Sequence, residues 1–329
     1  MEINSNNFGE PNKYAFKSDA YDEVLWAMRD NSVVFLTGPH KCGKTVCLTQ
    51  IAEALHNSVT VNFRHIQTDN DKLLALDEVY DAIKTNRECV FLLDDFEYAF
   101  CPELAIEKIS NLFYDSDTTN TKTKIVFTGN PMNAITTWAN RAFGKNAAKV
   151  RMKFMTYEEY LRLTGRQKIG EDMYLRFCTR AGEEFYHIGS LDEYLGECLK
   201  SSIVYNQNTS NIIFLNETYL LDDNFAVLTD VCRFAGAFSP FWKETVMKKD
   251  SMEPLNLRIY SQKTVKQAIQ FLERHGIIEI KFKGSNTSAI REFYKNVGID
   301  NSVEELRNRY DICFSHPMFC GLLLQETVR

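Results

Sequence analysis

Continuous apolar runs alternate with segments of helical periodicity through the first half of the chain. The runs that predict strands are Val33–Leu36, Val59–Phe63, Cys89–Leu93, Lys124–Thr128 and Lys149–Phe154. The segments that predict helices are Ala20–Met28, Thr45–Leu55, Lys72–Ile83 and Glu103–Leu112. Short uninterrupted apolar strands separated by helices are typical of a parallel sheet that is buried on both faces. The pattern therefore predicts an α/β, doubly wound core over residues 18–155.

The pattern changes after residue 155. Helical segments over residues 156–212 predict a lid or linker, and the polar residues 1–17 predict a flexible N-terminus. Within residues 213–329, the predicted helices are Asn224–Phe234, Pro240–Lys248 and Lys263–His275. The strand Ile277–Lys283 follows with alternating apolar and charged residues, and Tyr310–Phe314 is its candidate partner. Three helices followed by a β-hairpin predict a winged-helix domain.

Composition narrows the classes of protein that fit. A length of 329 residues suits about two globular domains. A net charge of −6 argues against a surface that is basic throughout, but it leaves room for a local basic patch. Nine cysteines without a CxxC pair argue against a disulfide framework or a zinc site. No apolar run approaches the roughly 20 residues of a membrane span, and the first residues lack a secretory signal, so we expect a cytoplasmic protein without membrane contact.

The strongest motif is the segment from Gly38 to Thr45, which fits the phosphate-binding pattern GxxxxGK[ST] between an apolar strand and a helix. Glycines let the backbone wrap closely around phosphates, and the N–H groups at the helix start supply positive potential. Lys44 is predicted to reach the β- and γ-phosphates of ATP, and the Thr45 hydroxyl to bind Mg²⁺. The predicted nucleotide contacts are Gly38, Pro39, His40, Lys41, Cys42, Gly43, Lys44, Thr45 and Val46. The alternative is an ordinary strand-to-helix turn with an incidental lysine.

Two carboxylates follow the apolar run Val90–Leu93. Because α/β folds bind ligands at the carboxyl ends of their strands, Asp94 is predicted to face Mg²⁺. Asp95 is predicted to polarise the attacking water as the catalytic base. The alternative is a pair of helix N-cap residues. Glu97 is expected to be an exposed residue at a helix start.

Further candidate catalytic residues come later in the chain. Asn130 follows the strand Lys124–Thr128, where an amide can orient water or touch the γ-phosphate. A turn initiated by the Asn-Pro pair is the alternative. Arg141 is a candidate for the arginine that stabilises the charge of the transition state, and Arg151 is a second one. The alternative for each arginine is an ordinary surface residue.

The segments that carry a resemblance to a known family are the loop GPHKCGKT, the LLDD strand, the TGN strand end and VRMKFMTYEEYL. The chain resembles the prokaryotic AAA-like P-loop ATPases that carry a C-terminal winged helix. The resemblance covers roughly residues 20–315 and implies ATP binding with Mg²⁺ and slow hydrolysis. Two departures from the family pattern bear on turnover rather than on nucleotide binding. Lys145 stands where the family usually has Arg, and Asp95 stands where it usually has Glu.

Residues 256–285 carry six basic side chains against two acidic ones. The basic residues on the predicted recognition helix and wing are Lys263, Lys266, Arg274, Lys281 and Lys283. A DNA phosphate backbone would select such an arrangement. The alternatives are a solvated face and a surface that packs on the core, on a protein partner or on a second copy.

The leading hypothesis is a Mg²⁺-dependent ATPase that acts as a nucleotide-driven switch coupled to the winged-helix module. One alternative is a nucleotide-stabilised DNA- or protein-binding regulator with little or no turnover. Another is an ATPase that binds DNA with little sequence preference. A GTPase is disfavoured, because no Asn-Lys-x-Asp motif follows the phosphate-binding loop.

Overall fold

The computed structural model describes residues 17–115, 122–129, 134–144, 146–164, 171–209, 225–236, 260–282 and 310–328. The chain divides into two compact units, Met1–Gly165 and Arg166–Arg329. The first ends ten residues beyond the predicted end of the core, because it includes the helix after the last strand.

Five parallel strands form the sheet of the first unit. In chain order they are β1 (Val33–Thr37), β2 (Ser58–Asn62), β3 (Val90–Asp94), β4 (Lys124–Gly129) and β5 (Ala147–Arg151). Their spatial order is β2-β3-β4-β1-β5, and all neighbouring pairs are parallel. The helices are α1 (Asp19–Asp30), α2 (Lys44–Ala54), α3 (Asp69–Lys84), α4 (Pro102–Asp115), α5 (Ala134–Phe143) and α6 (Tyr157–Thr164). The predicted α/β fold with a parallel sheet is confirmed.

Stacked aromatic rings hold the centre of this sheet. Phe35 of β1 and Phe127 of β4 are register partners, and their ring centroids lie 4.9 Å apart. Phe96 belongs to a single 3₁₀ turn after β3, and its ring meets Phe127 edge-on at 4.8 Å and Phe63 at 5.3 Å. Aromatic pairs of this geometry favour one relative orientation. The turn that follows β3 is therefore anchored in the core.

Two elements near the end of the first unit differ from the prediction. β5 spans Ala147–Arg151 rather than Lys149–Phe154, because it pairs residue for residue with β1 and ends where β1 ends. Helix α5 was not predicted; it connects the carboxyl end of β4 to the amino end of β5 and therefore runs back along the sheet.

Helix α6 begins with a capping box, which gives the TYEEYL segment a physical basis. The backbone N–H of Thr156 donates to Glu159 Oε2 at 2.6 Å, and the N–H of Glu159 donates to Thr156 Oγ1 at 3.2 Å. Glu159 also accepts from the backbone N–H of Asp19 at the start of α1, at 3.4 Å. Tyr160 is fully buried beside it. One carboxylate thus caps two helix starts within the first unit.

The second unit contains five helices and a two-stranded sheet within the part that is described. They are α7 (Glu171–Tyr186), α8 (Leu191–Thr209), α9 (Phe225–Gly236), α10 (Gln262–Arg274), β6 (Ile278–Phe282), β7 (Tyr310–Phe314) and α11 (Met318–Val328). Strands β6 and β7 are antiparallel, which confirms the predicted strand pairing. Helix α11 was not predicted and packs on α7, α8 and α9, so the predicted linker helices share a unit with the later elements.

The predicted helix 240–248 and the turn after residue 283 lie outside the described residues. The same holds for most of the predicted flexible N-terminus. The winged helix and the domain boundaries at 155 and 212 therefore remain predictions. No helix in the described ranges has both the length and the hydropathy that crossing a bilayer requires.

Candidate functional site

The phosphate-binding motif forms the connection between β1 and α2. Gly43 has a left-handed backbone (φ 99°) and directly precedes the first residue of α2. Lys41 is also left-handed (φ 57°), which helps the chain to turn within few residues. No side chain caps α2. Its first N–H groups therefore point toward the loop, as an anion site at a helix start requires.

Gly38 has no room for a side chain. A Cβ atom there would lie 2.6 Å from the carbonyl oxygen of Met152 and 2.8 Å from Cys42 Sγ. Met152 follows β5 directly, and its N–H donates to the carbonyl of Thr37 at 2.7 Å. The segment after β5 thus supports the loop from beside it. Burial raises the pKa of the Cys42 thiol, so this cysteine is a packed neutral group.

Lys44 is buried and folds back over its own loop. Its Nζ donates to the carbonyl oxygens of Gly38 at 3.0 Å and Pro39 at 2.8 Å. A lysine in a strand-to-helix turn with no function would normally extend into solvent, because burying an ammonium group is costly. The geometry therefore disfavours the alternative of an incidental lysine. Val46 is exposed on the first turn of α2, and His40 is half-buried.

Asp94 is fully buried and accepts hydrogen bonds from three elements. Its Oδ2 receives Thr45 Oγ1 of α2 at 2.7 Å and Asn62 Nδ2 of β2 at 2.8 Å. Its Oδ1 receives the hydroxyl of Thr128 from β4. Because all these partners come from the carboxyl edge of the sheet, Lys44, Thr45 and Asp94 belong to one site. The next residue, Asp95, makes no side-chain cap bond to the turn it precedes, which disfavours the N-cap alternative.

Asp95 lies at the start of the turn after β3 with a left-handed backbone (φ 49°). Its N–H donates to Thr128 Oγ1 at 3.1 Å. Burial, with a smaller contribution from the charge of Asp94, raises the pKa of the Asp95 carboxyl to about 6. The charges of Lys44, Arg64 and His65 act in the opposite direction. Asp95 therefore has the raised pKa that suits a proton acceptor near neutral pH.

Sequence reasoning missed Asn62, Thr128 and Arg64. Asn62 ends β2, Thr128 lies one residue before the end of β4, and Arg64 lies two residues beyond β2. The signal for the first two was a polar side chain at the carboxyl end of a parallel strand. The prediction considered Asn130 after β4 rather than Thr128 within it, and it considered no residue at the end of β2.

Other predicted residues make no hydrogen bond to Lys44, Thr45 or Asp94 in the described part of the chain. Arg141 lies in the last turn of α5, is exposed, and pairs with Glu103 at 3.1 Å. Its partner Glu103 lies in the first turn of α4, so the structure describes Arg141 as an exposed residue in an ion pair, and its catalytic role stays a prediction. Glu97 is buried in the 3₁₀ turn rather than exposed. Asn130 and Lys145 lie outside the described residues.

The predicted basic surface of the second unit is described in part. Lys263 is exposed on α10, and Lys266 and Arg274 are half-buried. Lys281 is exposed and pairs with Glu279 at 3.1 Å. Lys283 lies beyond the described residues. These positions do not tell a DNA-binding face from a solvated one.

The site has the donors for a hard cation that is also bound by phosphate. Thr45 Oγ1 and Asp94 Oδ2 are two oxygen atoms 2.7 Å apart. Within the described ranges no group of three His, Cys, Asp or Glu residues could hold a metal alone. One carboxylate and one hydroxyl with phosphate oxygens and water is a donor set that suits Mg²⁺. The chemistry of these donors therefore fits the predicted ion.

Comparisons with known proteins agree with this geometry. Residues 30–161 match the model of a family described as an AAA domain. The fold is similar to that of a Walker-type ATPase of Pyrococcus abyssi, with a TM-score of 0.50 and 10% identity over 93% of this chain and 95% of that chain. No curated protein matches the chain.

Two Pif1 structures are more distant. Unliganded Pif1 of a Bacteroides species has a TM-score of 0.27 and 13% identity over 50% of this chain and 48% of that chain. The Pif1 helicase of Candida albicans has a TM-score of 0.29 and 14% identity over 50% and 47%. These values are too low to carry an inference. Residues 30–161 of the first unit are thus similar to an AAA domain, and the shared fold agrees with that match.

Proposed function

We propose that the chain binds ATP with Mg²⁺ at the carboxyl edge of the first sheet, hydrolyses it slowly, and works as a nucleotide-driven switch for the second unit. The observation that carries the proposal is the 2.7 Å bond between Thr45 and Asp94, with Lys44 in the same loop. Residues that are 49 positions apart meet where a P-loop site needs a hydroxyl beside a carboxylate.

Each residue has a separate role in this proposal. The loop N–H groups and Lys44 bind the phosphates, and Thr45 and Asp94 hold Mg²⁺, which when bound neutralises charge on the phosphate oxygens. Thr128 donates to Asp94 and accepts from the N–H of Asp95, so it orients both carboxylates. Asp95 accepts a proton from the attacking water. The shorter reach of Asp95 compared with a glutamate supports slow turnover.

Nucleotide titration and phosphate release test this function. We expect Lys44→Ala to weaken binding of ATP and ADP by at least about a hundredfold, because the ammonium group contacts phosphates in both. The matched control is Lys84→Ala, which removes an exposed lysine of α3 that pairs with Asp81. Unchanged nucleotide affinity in the Lys44 variant would contradict the proposal.

Phosphate release over hours separates the switch from a nucleotide-stabilised regulator without turnover. Release by the wild type that Asp95→Asn abolishes supports hydrolysis. ATP binding without any release supports the regulator. Arg141 is exposed and pairs with Glu103, so its predicted role can be tested on a nucleotide that is bound to a second copy of the chain. Restored turnover on mixing Lys44→Ala with Arg141→Ala protein would support that arrangement.

DNA contact through Lys263, Lys266, Arg274, Lys281 and Lys283 stays part of the regulator alternative. Duplex binding by phosphate contacts weakens steeply as the salt concentration rises. Fluorescence anisotropy at low and at moderate salt measures this dependence. Absence of binding at low salt would remove DNA as a partner.

A further inference from the structure

We propose that Arg64 is a nucleotide-binding residue of this site, and that its guanidinium group contacts the terminal phosphate of ATP held by the same chain. The proposal rests on the proposed function, because it presupposes that Lys44 and Thr45 hold the remaining phosphates. Three features of Arg64 carry it: its anchored backbone, its side chain beside the turn of Asp95 without a carboxylate partner, and its place in the strand order.

The backbone of Arg64 is tied to the metal-facing carboxylate. The side-chain oxygen of Asn62 accepts from the N–H of Arg64 at 3.0 Å and from the N–H of His65 at 3.3 Å. The amide nitrogen of the same Asn62 donates to Asp94 at 2.8 Å. One side chain therefore joins the turn after β2 to the carboxylate after β3. The starting point of the Arg64 side chain is fixed relative to the site.

The guanidinium group of Arg64 makes no ion pair within the described part of the chain, unlike those of Arg87, Arg141, Arg162 and Arg233, each of which has a carboxylate within 4.0 Å. Arg64 is exposed, and its only ring contact there is with Tyr98 at 5.6 Å. Tyr98 belongs to the 3₁₀ turn that Asp95 begins. The contact therefore places the guanidinium group beside this turn and leaves its N–H donors available.

The side chain of Arg64 lies at the carboxyl end of β3. Its guanidinium group contacts the ring of Tyr98, and Tyr98 belongs to the turn that directly follows this strand.

In the strand order, a cationic residue follows each outer strand of the four neighbours β2-β3-β4-β1. Lys44 follows β1 and Arg64 follows β2, and β3 and β4 lie between them. Asn62 is the register partner of Asp94, so Arg64 projects from beyond the level of that carboxylate. Neighbouring strands are about 4.8 Å apart, which a long arginine side chain can span. The planar guanidinium group of Arg64 can donate two parallel hydrogen bonds to a phosphate that lies between Lys44 and the carboxylates.

The test is the preference for triphosphate over diphosphate. Calorimetric titrations with Mg²⁺ would compare ATPγS and ADP for the wild type and Arg64→Ala. We expect the affinity for ATPγS to fall at least tenfold and the affinity for ADP to change less than twofold, because only the triphosphate carries the contacted group. Arg64→Lys keeps the charge but loses the fork, so we expect an intermediate loss.

The control is Arg87→Ala, which removes an arginine that pairs with Glu78 and lies in the loop leading to the amino end of β3. It is expected to change neither affinity. An unchanged ratio of the two affinities in Arg64→Ala, or an equal loss of both, would overturn the proposal. A loss of triphosphate preference in Arg151→Ala, with the preference intact in Arg64→Ala, would also overturn the proposal. A wild type that binds neither nucleotide contradicts the proposed function itself, whereas equal wild-type affinity for both contradicts only the role of Arg64.

Discussion

The substitution Asp95→Asn is expected to stabilise the nucleotide-free protein while it abolishes turnover. Burial raises the pKa of this carboxyl in the folded chain from 3.8 to about 6. The folded state therefore binds the proton more tightly than the unfolded state does. Ionisation of Asp95 opposes folding above about pH 4, and the loss of stability is complete above about pH 6. Asparagine has nearly the same shape, stays neutral and tolerates the left-handed backbone at this position.

The size of the effect follows from the difference between the two pKa values. Each unit of difference between the two pKa values corresponds to about 1.36 kcal/mol. Ionisation of Asp95 therefore lowers the free energy of unfolding by about 3 kcal/mol at pH 7.5. At pH 5 the same linkage leaves about half of that amount. The gain of the asparagine variant should therefore grow as the pH rises from 5 to 7.5.

Urea unfolding of the first unit, followed by Trp fluorescence at both pH values, measures this gain. Asp81→Asn is the matched control, since Asp81 is exposed at the end of α3. It should change the free energy of unfolding by less than about 0.5 kcal/mol. No gain for Asp95→Asn at pH 7.5, or an equal gain at both pH values, would refute a buried, ionised Asp95 in the folded state.

Three further substitutions test the support of the site. Gly38→Ala places a methyl group against the carbonyl of Met152, so we expect a loss of about 1–3 kcal/mol and weaker ADP binding; unchanged binding by titration would contradict the tight packing. Thr128→Val leaves a buried carboxylate oxygen and an N–H without their partner, and should lower the free energy of unfolding by about 2 kcal/mol and slow phosphate release, whereas Thr128→Ser should keep both; equal behaviour of the two variants would argue against the hydroxyl. Glu159→Ala removes a capping box and should cost about 1–2 kcal/mol in urea unfolding, and an unaffected midpoint would exclude this role.

The fold of the first unit was predictable because its strands are short, apolar and separated by amphipathic helices. Four of the five strands lie within one residue of their predicted positions. β1, β3 and β4 are almost entirely buried, whereas β2 at the edge of the sheet is mostly half-buried. The fifth strand was placed too late, since its length depends on pairing with β1 rather than on its own residues. Helix α5 was not predicted, although its apolar residues Ile135, Trp138 and Ala142 have helical spacing.

The site residues that belong to local sequence motifs were predictable. The site residues that only strand pairing brings together were not. Lys44, Thr45 and Asp94 belong to motifs that can be recognised from a few consecutive residues. Asn62 ends β2 and Arg64 lies two residues beyond it, and only the pairing of β2 with β3 brings them to the carboxylates. Sequence alone does not state which strands are neighbours. A polar residue after any strand of a parallel sheet therefore merits the same weight as one after the strand with the known motif.

The hydrogen bonds of Asp94 explain how the turn of Arg64 can stay fixed when a cation binds. A carboxylate offers about four acceptor positions, and Asp94 uses three: Oδ2 accepts from Thr45 and Asn62, and Oδ1 accepts from Thr128. A cation can then use the remaining position on Oδ1 or replace the bond from the Thr45 hydroxyl. Neither route requires the loss of the Asn62 bond. Asn62 can thus hold Arg64 in the same place with and without Mg²⁺, as a preformed phosphate contact requires.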